Sequence, residues 1–313
     1  MTNPFFTIAI PAYSRLNYLK EAINSVLNQS FRDFELIIID DYSTENIWDY
    51  LLTIKDERVK IFRNQKNLGL VHNWRRCIEE ATGKWFKFLM ADDVIFKDSL
   101  FILNNLINKY RENKVIVTSG IDFKNIFEIE NYIKTDNRNL VDTDGLPIPM
   151  EKIINLRKRF IQTWAMPNSY TLLTEDLKKL IKSDRYLEVE ENLGQTGHCV
   201  DYFILYAVAT KYNTMIEMDI PLYGVRNHKT NFSKTYNQNL LYHLKGDKYI
   251  HYLLYDYKGI ENLFIVKHAF KIYFNKILSN KKKLFSLVFF KWTCQLFVFL
   301  FQHLFGIKPK LNN

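Results

Sequence analysis

Glu35-Leu36-Ile37-Ile38-Ile39-Asp40-Asp41-Tyr42-Ser43 and Trp85-Phe86-Lys87-Phe88-Leu89-Met90-Ala91-Asp92-Asp93 are two short apolar runs that each end abruptly in paired acids. A run apolar at every position, such as Leu36-Ile37-Ile38-Ile39, suits a strand buried on both faces, as in a parallel sheet covered by helices. Working outward, strands are predicted over Phe6–Ile10, Glu35–Ile39, Arg58–Phe62 and Trp85–Leu89. Ser14 is placed to cap an intervening helix that runs to about Gln29, with Leu16, Leu19, Ile23, Val26 and Leu27 at helical spacing. Leu70–Ala81 reads as a second helix stopped by Gly83; Ser99–Tyr110 and Lys114–Ser119 continue as helix and strand. Residues 122–165 read as a long connection with a helix near Leu156–Thr163, after which come a helix over Tyr202–Tyr212 and strands over Met215–Glu217 and Leu222–Val225. This alternation predicts an α/β fold, a Rossmann-like and mostly parallel sheet flanked by helices.

Open α/β sheets bind ligands in the crevice outside the carboxyl ends of their strands, which is where both acidic pairs fall. Acids after the second strand can accept hydrogen bonds from a base or a ribose; capping the next helix is the other use open to Asp41 or Ser43. Asp92 and Asp93 repel each other unless donors or a cation neutralise them, and a hard divalent ion such as Mn²⁺ or Mg²⁺ takes carboxylate together with phosphate oxygens. A solvated loop, or the cap of the helix near Ser99, is the plainer alternative for this pair.

The 313 residues are 47% apolar with only ten Gly and seven Pro, enough for a full-sized core and against a disordered or collagen-like chain. Net charge is +9, and its placement matters more than its size: from Lys258 onward there are ten Lys and one acid, Glu261, so the preceding 257 residues balance at 33 basic and 33 acidic. A basic face spread over the fold is thereby excluded, and nucleic acid with it as a partner. Cys77, Cys199 and Cys294 show neither paired nor metal-like spacing, which fits a reducing compartment. The N-terminal stretch carries no secretory pattern, so a cytoplasmic location is expected.

Further pieces stand in a fixed order around the acidic pairs: Ile8-Ala9-Ile10-Pro11-Ala12-Tyr13, Ser25-Val26-Leu27-Asn28-Gln29-Ser30, Asn67-Leu68-Gly69-Leu70 with Asn73-Trp74, Ala81-Thr82-Gly83-Lys84, and later Asp201 with Arg226-Asn227-His228. Together they resemble the family 2 glycosyltransferases of the GT-A fold over roughly residues 5–233. The resemblance implies a catalytic domain over 1–233 and an inverting sugar transfer, hexosyl or N-acetylhexosaminyl, from a nucleoside diphosphate, UDP first. It implies a donor site containing Pro11, Tyr13, Asn67, Gly69 and Asn73, with Asp40 or Asp41 on the base. Asp92 and Asp93 match the end of the family's acidic motif, whose acids touch ribose and hold Mn²⁺ or Mg²⁺; Met90 stands where many members have a further Asp. Asp201 matches the general base, with Val200 where another acid is usual and Glu190 and Glu191 as fallback bases in an acidic stretch that reads as a loop. Arg226 would offer its fork of donors to phosphate oxygens, and His228 would approach the diphosphate or the metal. The departures at Met90 and Val200 keep open a rival from another class, a nucleotide-sugar-binding regulatory or scaffold subunit without activity.

Residues 234–313 read as a helical, basic extension. Lys281-Lys282-Lys283 precedes Leu284–Phe305, rich in Leu, Phe and Val, and Lys308 and Lys310 follow. Lys291, Gln295 and Gln302 form a thin polar stripe on that helix, which favours lying in a membrane interface, with the lysines of 281–310 on anionic lipid, over crossing the bilayer. Packing on protein is the alternative. The expected setting is therefore peripheral, at the inner face of the plasma membrane, with a lipid-linked or envelope glycan as acceptor.

Overall fold

The computed structural model describes residues 3–128, 145–149, 166–194, 197, 200–228 and 297. The expected helix near 156–163, Cys199 and the extension, Phe297 apart, lie outside the described residues. In chain order the elements are β1 (Phe6–Ala12), α1 (Leu16–Leu27), β2 (Phe34–Asp40), α2 (Ile47–Leu52), β3 (Val59–Arg63), α3 (Leu70–Glu80), β4 (Trp85–Phe88), β5 (Val94–Ile95), α4 (Ser99–Lys109), β6 (Val115–Phe123), β7 (Leu146–Pro149), β8 (Tyr170–Leu173), α5 (Thr174–Leu180), α6 (Asp184–Leu193), α7 (Val200–Ala209) and β9 (Thr214–Arg226). A 3₁₀ turn over Pro167–Ser169 leads into β8.

One sheet runs β3-β2-β1-β4-β8-β6-β9, with β5 and β7 both pairing along β9. Its first four strands are parallel throughout; β8 runs against both β4 and β6, and β9 returns parallel to β6. Strand alternation divides the core between the two faces. Ile8, Ile10, Leu36 and Ile38 pack with Leu19, Ile23 and Leu103 on the face covered by α1 and α4. Ala9, Ile37 and Ile39 pack with Trp74, Ile78, Phe203 and Leu177 under α3, α7 and α5. Every residue of β1 and β2 is buried, the two-sided burial that an uninterrupted apolar run predicts.

The base of the sheet is clamped by a buried carboxylate. Glu35 accepts from Thr7 Oγ1 at 2.5 Å, Thr82 N at 2.6 Å, Lys60 Nζ at 2.7 Å and Gly83 N at 3.0 Å. Burial pushes its pKa up, but Lys60, Thr7 and Thr82 outweigh that and hold it below the usual carboxylate range. Gly83 must be glycine here: a Cβ would sit 2.6 Å from the backbone of Phe6 and Thr7.

Several boundaries differ from the sequence reading. Ser14 does not cap α1 through its side chain. Ser14 and Arg15 both adopt left-handed backbone, φ 59° and 64°, and the Glu45 carboxylate reaches back to accept from Leu16 N at 3.0 Å. The two strands expected near 215–225 are one, β9, kept continuous across Pro221 by register shifts opposite Thr118–Gly120. The acidic stretch around Glu190 and Glu191 is helical, the second half of α6, not a loop.

Candidate active site

A cavity of about 520 Å³ opens where β1, β2 and β4 end, and Pro11, Tyr13, Asp41, Asn67, Gly69, Asn73, Asp92, Asp93 and Asp201 all line it. Segments as far apart in sequence as Pro11 and Asp201 thus converge on the crevice the topology predicts.

Asp41 anchors the wall on the α3 side. Its carboxylate accepts from Asn64 Nδ2 at 2.7 Å, Leu68 N at 2.8 Å and Gly69 N at 3.0 Å, tying the loop before α3 to the end of β2. Gly69 sits at φ 86°, a backbone that L side chains rarely adopt, and its N–H also donates to Asn67 Oδ1. Asn73 is buried and bridges Asn64 to the carbonyl of Ile39. Asp40 behaves otherwise. It continues the Leu36–Ile38 face of β2, is fully buried, accepts from Ser43 N at 2.9 Å and pairs with Arg63 Nε at 3.1 Å. It does not line the cavity, so the expectation of a base contact passes to Asp41 alone.

The opposite wall carries the second pair. Asp93 is buried, with Oδ2 accepting from Asn168 Nδ2 at 2.5 Å and Oδ1 from Arg226 N at 2.8 Å. Burial, and then the neighbouring negative charge of Asp92, push its pKa well above the usual carboxylate range. Asp92 is more open: Oδ2 lies 2.9 Å from both Arg15 Nη1 and His228 Nε2. Below them Lys87, fully buried in β4, donates to the Asn168 carbonyl, and burial lowers its pKa to about 7.

Arg226 corrects an expectation. Its guanidinium is 3% exposed, donates to the Asp92 carbonyl at 2.9 Å and to Glu21, and lies 4.5 Å from the rings of both Tyr18 and Phe123. Because β9 turns this side chain inward, it fastens the acidic loop and offers no fork to a phosphate. Glu190 likewise faces Arg75, at 2.6 Å, outside the cavity lining, whereas Asp201 lies within it at the first turn of α7. Arg15, Lys87 and Asn168 are the participants that sequence reasoning missed. Only their three-dimensional partners distinguish them from ordinary surface or strand residues.

Among the described residues no group of three His, Cys, Asp or Glu is placed to hold a metal ion. The donor chemistry nevertheless fits a divalent cation completed by phosphate oxygens: a carboxylate and an imidazole converge at Asp92 and His228. Asp93, the other expected ligand, has each oxygen accepting one fixed donor and is held more rigidly than Asp92.

Solved structures with a similar fold include S. aureus TarS residues 1–349 in complex with UDP-GlcNAc, at TM-score 0.65 and 15% identity over 98% of this chain and 82% of that one. Another is the mannosyltransferase PcManGT of Pyrobaculum calidifontis with GDP-Man and Mn²⁺, at TM-score 0.52 and 12% identity over 97% of this chain and 88% of that one. Among sequences, an uncharacterised glycosyltransferase of Rickettsia conorii is 34% identical over 142 residues, 45% of this chain but only 23% of the relative's length. The model of glycosyl transferase family 2 matches residues 7–172, more than half of the chain, which therefore belongs to that family.

Proposed function

We propose that this chain is an inverting glycosyltransferase that moves a sugar from a nucleoside-diphosphate donor to a hydroxyl of a lipid-linked or envelope glycan. The observation that carries this reading is that Asp41, Asp92 and Asp201 line one cavity at the strand ends. The wall of Asp41, Asn67 and Gly69 suits a base, and the wall of Asp92 suits ribose and diphosphate. The TarS complex with UDP-GlcNAc and the PcManGT complex with GDP-Man and Mn²⁺ support a nucleotide-sugar donor and a divalent metal; UDP-sugars are the first donors to test.

In the proposed step the acceptor oxygen attacks the anomeric carbon from the face opposite the leaving group. Asp201 takes the hydroxyl proton, and the bond to the diphosphate breaks with its electron pair leaving on the phosphate oxygen. Asp92 and His228 would hold Mn²⁺ or Mg²⁺, which when bound offsets charge on the departing diphosphate. A screen of UDP-, dTDP- and GDP-sugars for hydrolysis and transfer, with and without EDTA, tests the reading. Asp201→Asn should leave donor affinity within about twofold while turnover falls roughly a hundredfold or more. Equal turnover in this variant removes Asp201 as the base.

Met90 and Val200, standing where acids are usual, favour one rival, a nucleotide-sugar-binding regulatory subunit; it predicts binding without turnover at any donor. A membrane role for the extension is a separate part of the proposal, resting on the lysines of 281–310 and the apolar run between them. It implies a peripheral site at the cytoplasmic membrane face. Truncation before Lys281 should abolish binding to anionic liposomes and leave UDP binding intact, whereas loss of thermal stability without liposome binding by the full chain would make the extension a packing element.

A further inference from the structure

Asp92 sits beside Asp93, with a buried carboxylate behind it and the cavity in front, and the cation that meets it from the cavity side is Arg15. The guanidinium reaches Asp92 Oδ2 at 2.9 Å, while the Arg15 side chain stays 35% exposed. It lines the donor cavity and also a neighbouring one of about 600 Å³ with Leu16, Asn17, Tyr18, Glu45 and Asn46. Its position is imposed by the backbone: Ser14 and Arg15 are consecutive left-handed residues, held by Ser43 Oγ accepting from Ser14 N and by Glu45 accepting from Leu16 N, each at 3.0 Å. Two non-glycine residues in this region, one after the other, mark a turn constrained by what it presents.

We infer that Arg15 is the resident counter-ion of the donor site and couples metal binding to diphosphate binding. The inference rests on the metal-dependent reading above. The guanidinium and the His228 imidazole both meet Asp92 Oδ2, so a divalent cation arriving alone competes with them for that oxygen and is repelled by the resident positive charge. A nucleoside diphosphate supplies oxygens onto which the fork can transfer, leaving Asp92 and His228 to the metal. The ion is thereby resisted in the empty site and accepted with the donor. By linkage, the factor by which UDP tightens Mn²⁺ must equal the factor by which Mn²⁺ tightens UDP. Arg15 is in this sense a positioning residue: it acts through Asp92 before the donor arrives and on the diphosphate afterwards.

The test is Mn²⁺ binding to the full chain by paramagnetic resonance and calorimetry, alone, with UDP and with UMP, for wild type, Arg15→Gln and Arg15→Lys. In wild type UDP should tighten Mn²⁺ by about tenfold or more, and UMP, which lacks the second phosphate, far less. Arg15→Gln should bind Mn²⁺ alone roughly five- to twentyfold more tightly, lose most of the UDP coupling, and bind UDP more weakly than wild type in EDTA. Arg15→Lys, keeping the charge without the fork, should fall between the two. Equal Mn²⁺ affinity and equal coupling in wild type and Arg15→Gln would overturn the role of Arg15 while leaving the metal reading intact. Absence of Mn²⁺ binding from every variant, with or without UDP, would overturn the metal reading and this inference together.

Discussion

Asp40 at the end of β2 and Asp41 just after it are both buried among partners inside the fold, whereas of the pair after β4 only Asp93 is buried and Asp92 meets its side-chain cations at the open cavity. In the first pair both acids have fixed tasks: Asp40 meets Ser43 N and Arg63, and Asp41 meets two backbone N–H groups and Asn64. In the second, Asp93 is locked by Asn168 and the Arg226 backbone, but Asp92 meets Arg15 and His228, side chains that can exchange for another cation. The same dipeptide thus builds a rigid wall in one place and an exchangeable charge site in the other. The partners supplied by distant segments make the difference.

The sharpest way to break this comparison is to delete each acid of the second pair. Asp93→Ala leaves two buried donors, Asn168 Nδ2 and Arg226 N, without acceptors, and should cost about 2–5 kcal/mol in stability. Asp92→Ala removes partly exposed pairs and should stay within about 1 kcal/mol while abolishing the proposed transfer. Urea unfolding of both variants decides the matter, and an equal loss in the two would erase the distinction between support and exchangeable site.

Asp41→Ala tests the rigid wall. Three donors lose their acceptor, so the loop over 64–69 should loosen, with a stability loss of about 2–3 kcal/mol, tempered because water can reach the cavity side. Weaker UDP binding should accompany it. Unchanged nucleotide affinity would mean that the base is read elsewhere.

The strand pattern of the first 120 residues was legible because β1 and β2 are buried on both faces and carry the apolar runs that such burial demands. The positions of Asp41, Asp92 and Asp93 around one crevice were legible for the same reason, since strand ends determine where a crevice lies; Asp201, at the first turn of α7, was placed there by the family resemblance alone. Their individual tasks were not. Whether Asp40 or Asp41 faces the cavity depends on strand alternation at the last residue of β2, and the fate of Arg226 depends on Tyr18, Phe123 and Glu21, more than a hundred residues away. Strand β8 was missed because its burial comes from pairing with β4 and β6; α6 did carry a helical signal, Tyr186, Val189 and Leu193 on one face behind the Ser183 cap, which the acidic residues between them hid. The cap of α1 went to Glu45 instead of Ser14 because a left-handed turn points the Ser14 region toward Ser43.

Lys87 extends the comparison to pH. Buried in β4 beneath the second pair, with a pKa lowered to about 7, it is harder to protonate in the folded than in the unfolded chain. A group shifted down in this way contributes stability fully above its unfolded pKa and loses it as pH falls toward the folded value. Stability should therefore rise between pH 7 and 8.5 with a slope of up to about 1.4 kcal/mol per pH unit. Above that window the raised pKa values of Cys77 and of tyrosines such as Tyr223 oppose it, because those groups ionise first in the unfolded chain. Lys87→Met should flatten the slope in denaturant titrations at pH 7.0, 7.7 and 8.5; an unchanged slope would assign it to other groups.

The smallest expected effect concerns the turn that presents Arg15. Ser14, at φ 59°, carries a Cβ in a region that costs an L residue about 1–2 kcal/mol. Glycine removes that cost but adds about 0.5–1 kcal/mol of unfolded-state entropy. Ser14→Gly should thus leave stability within about 1 kcal/mol of wild type, on the stabilising side. Ser14→Val, β-branched and ill-suited to the same φ, should lower it by more than 1 kcal/mol, on the order expected for strain at a constrained turn. If the turn is rigid because it must hold Arg15 over Asp92, the glycine variant should gain stability and yet lose part of the coupling between Mn²⁺ and UDP, since a freer turn holds the guanidinium less firmly. A gain in stability with the coupling untouched would mean that Arg15 finds Asp92 through its own side-chain reach and that the strained turn serves the start of α1 alone.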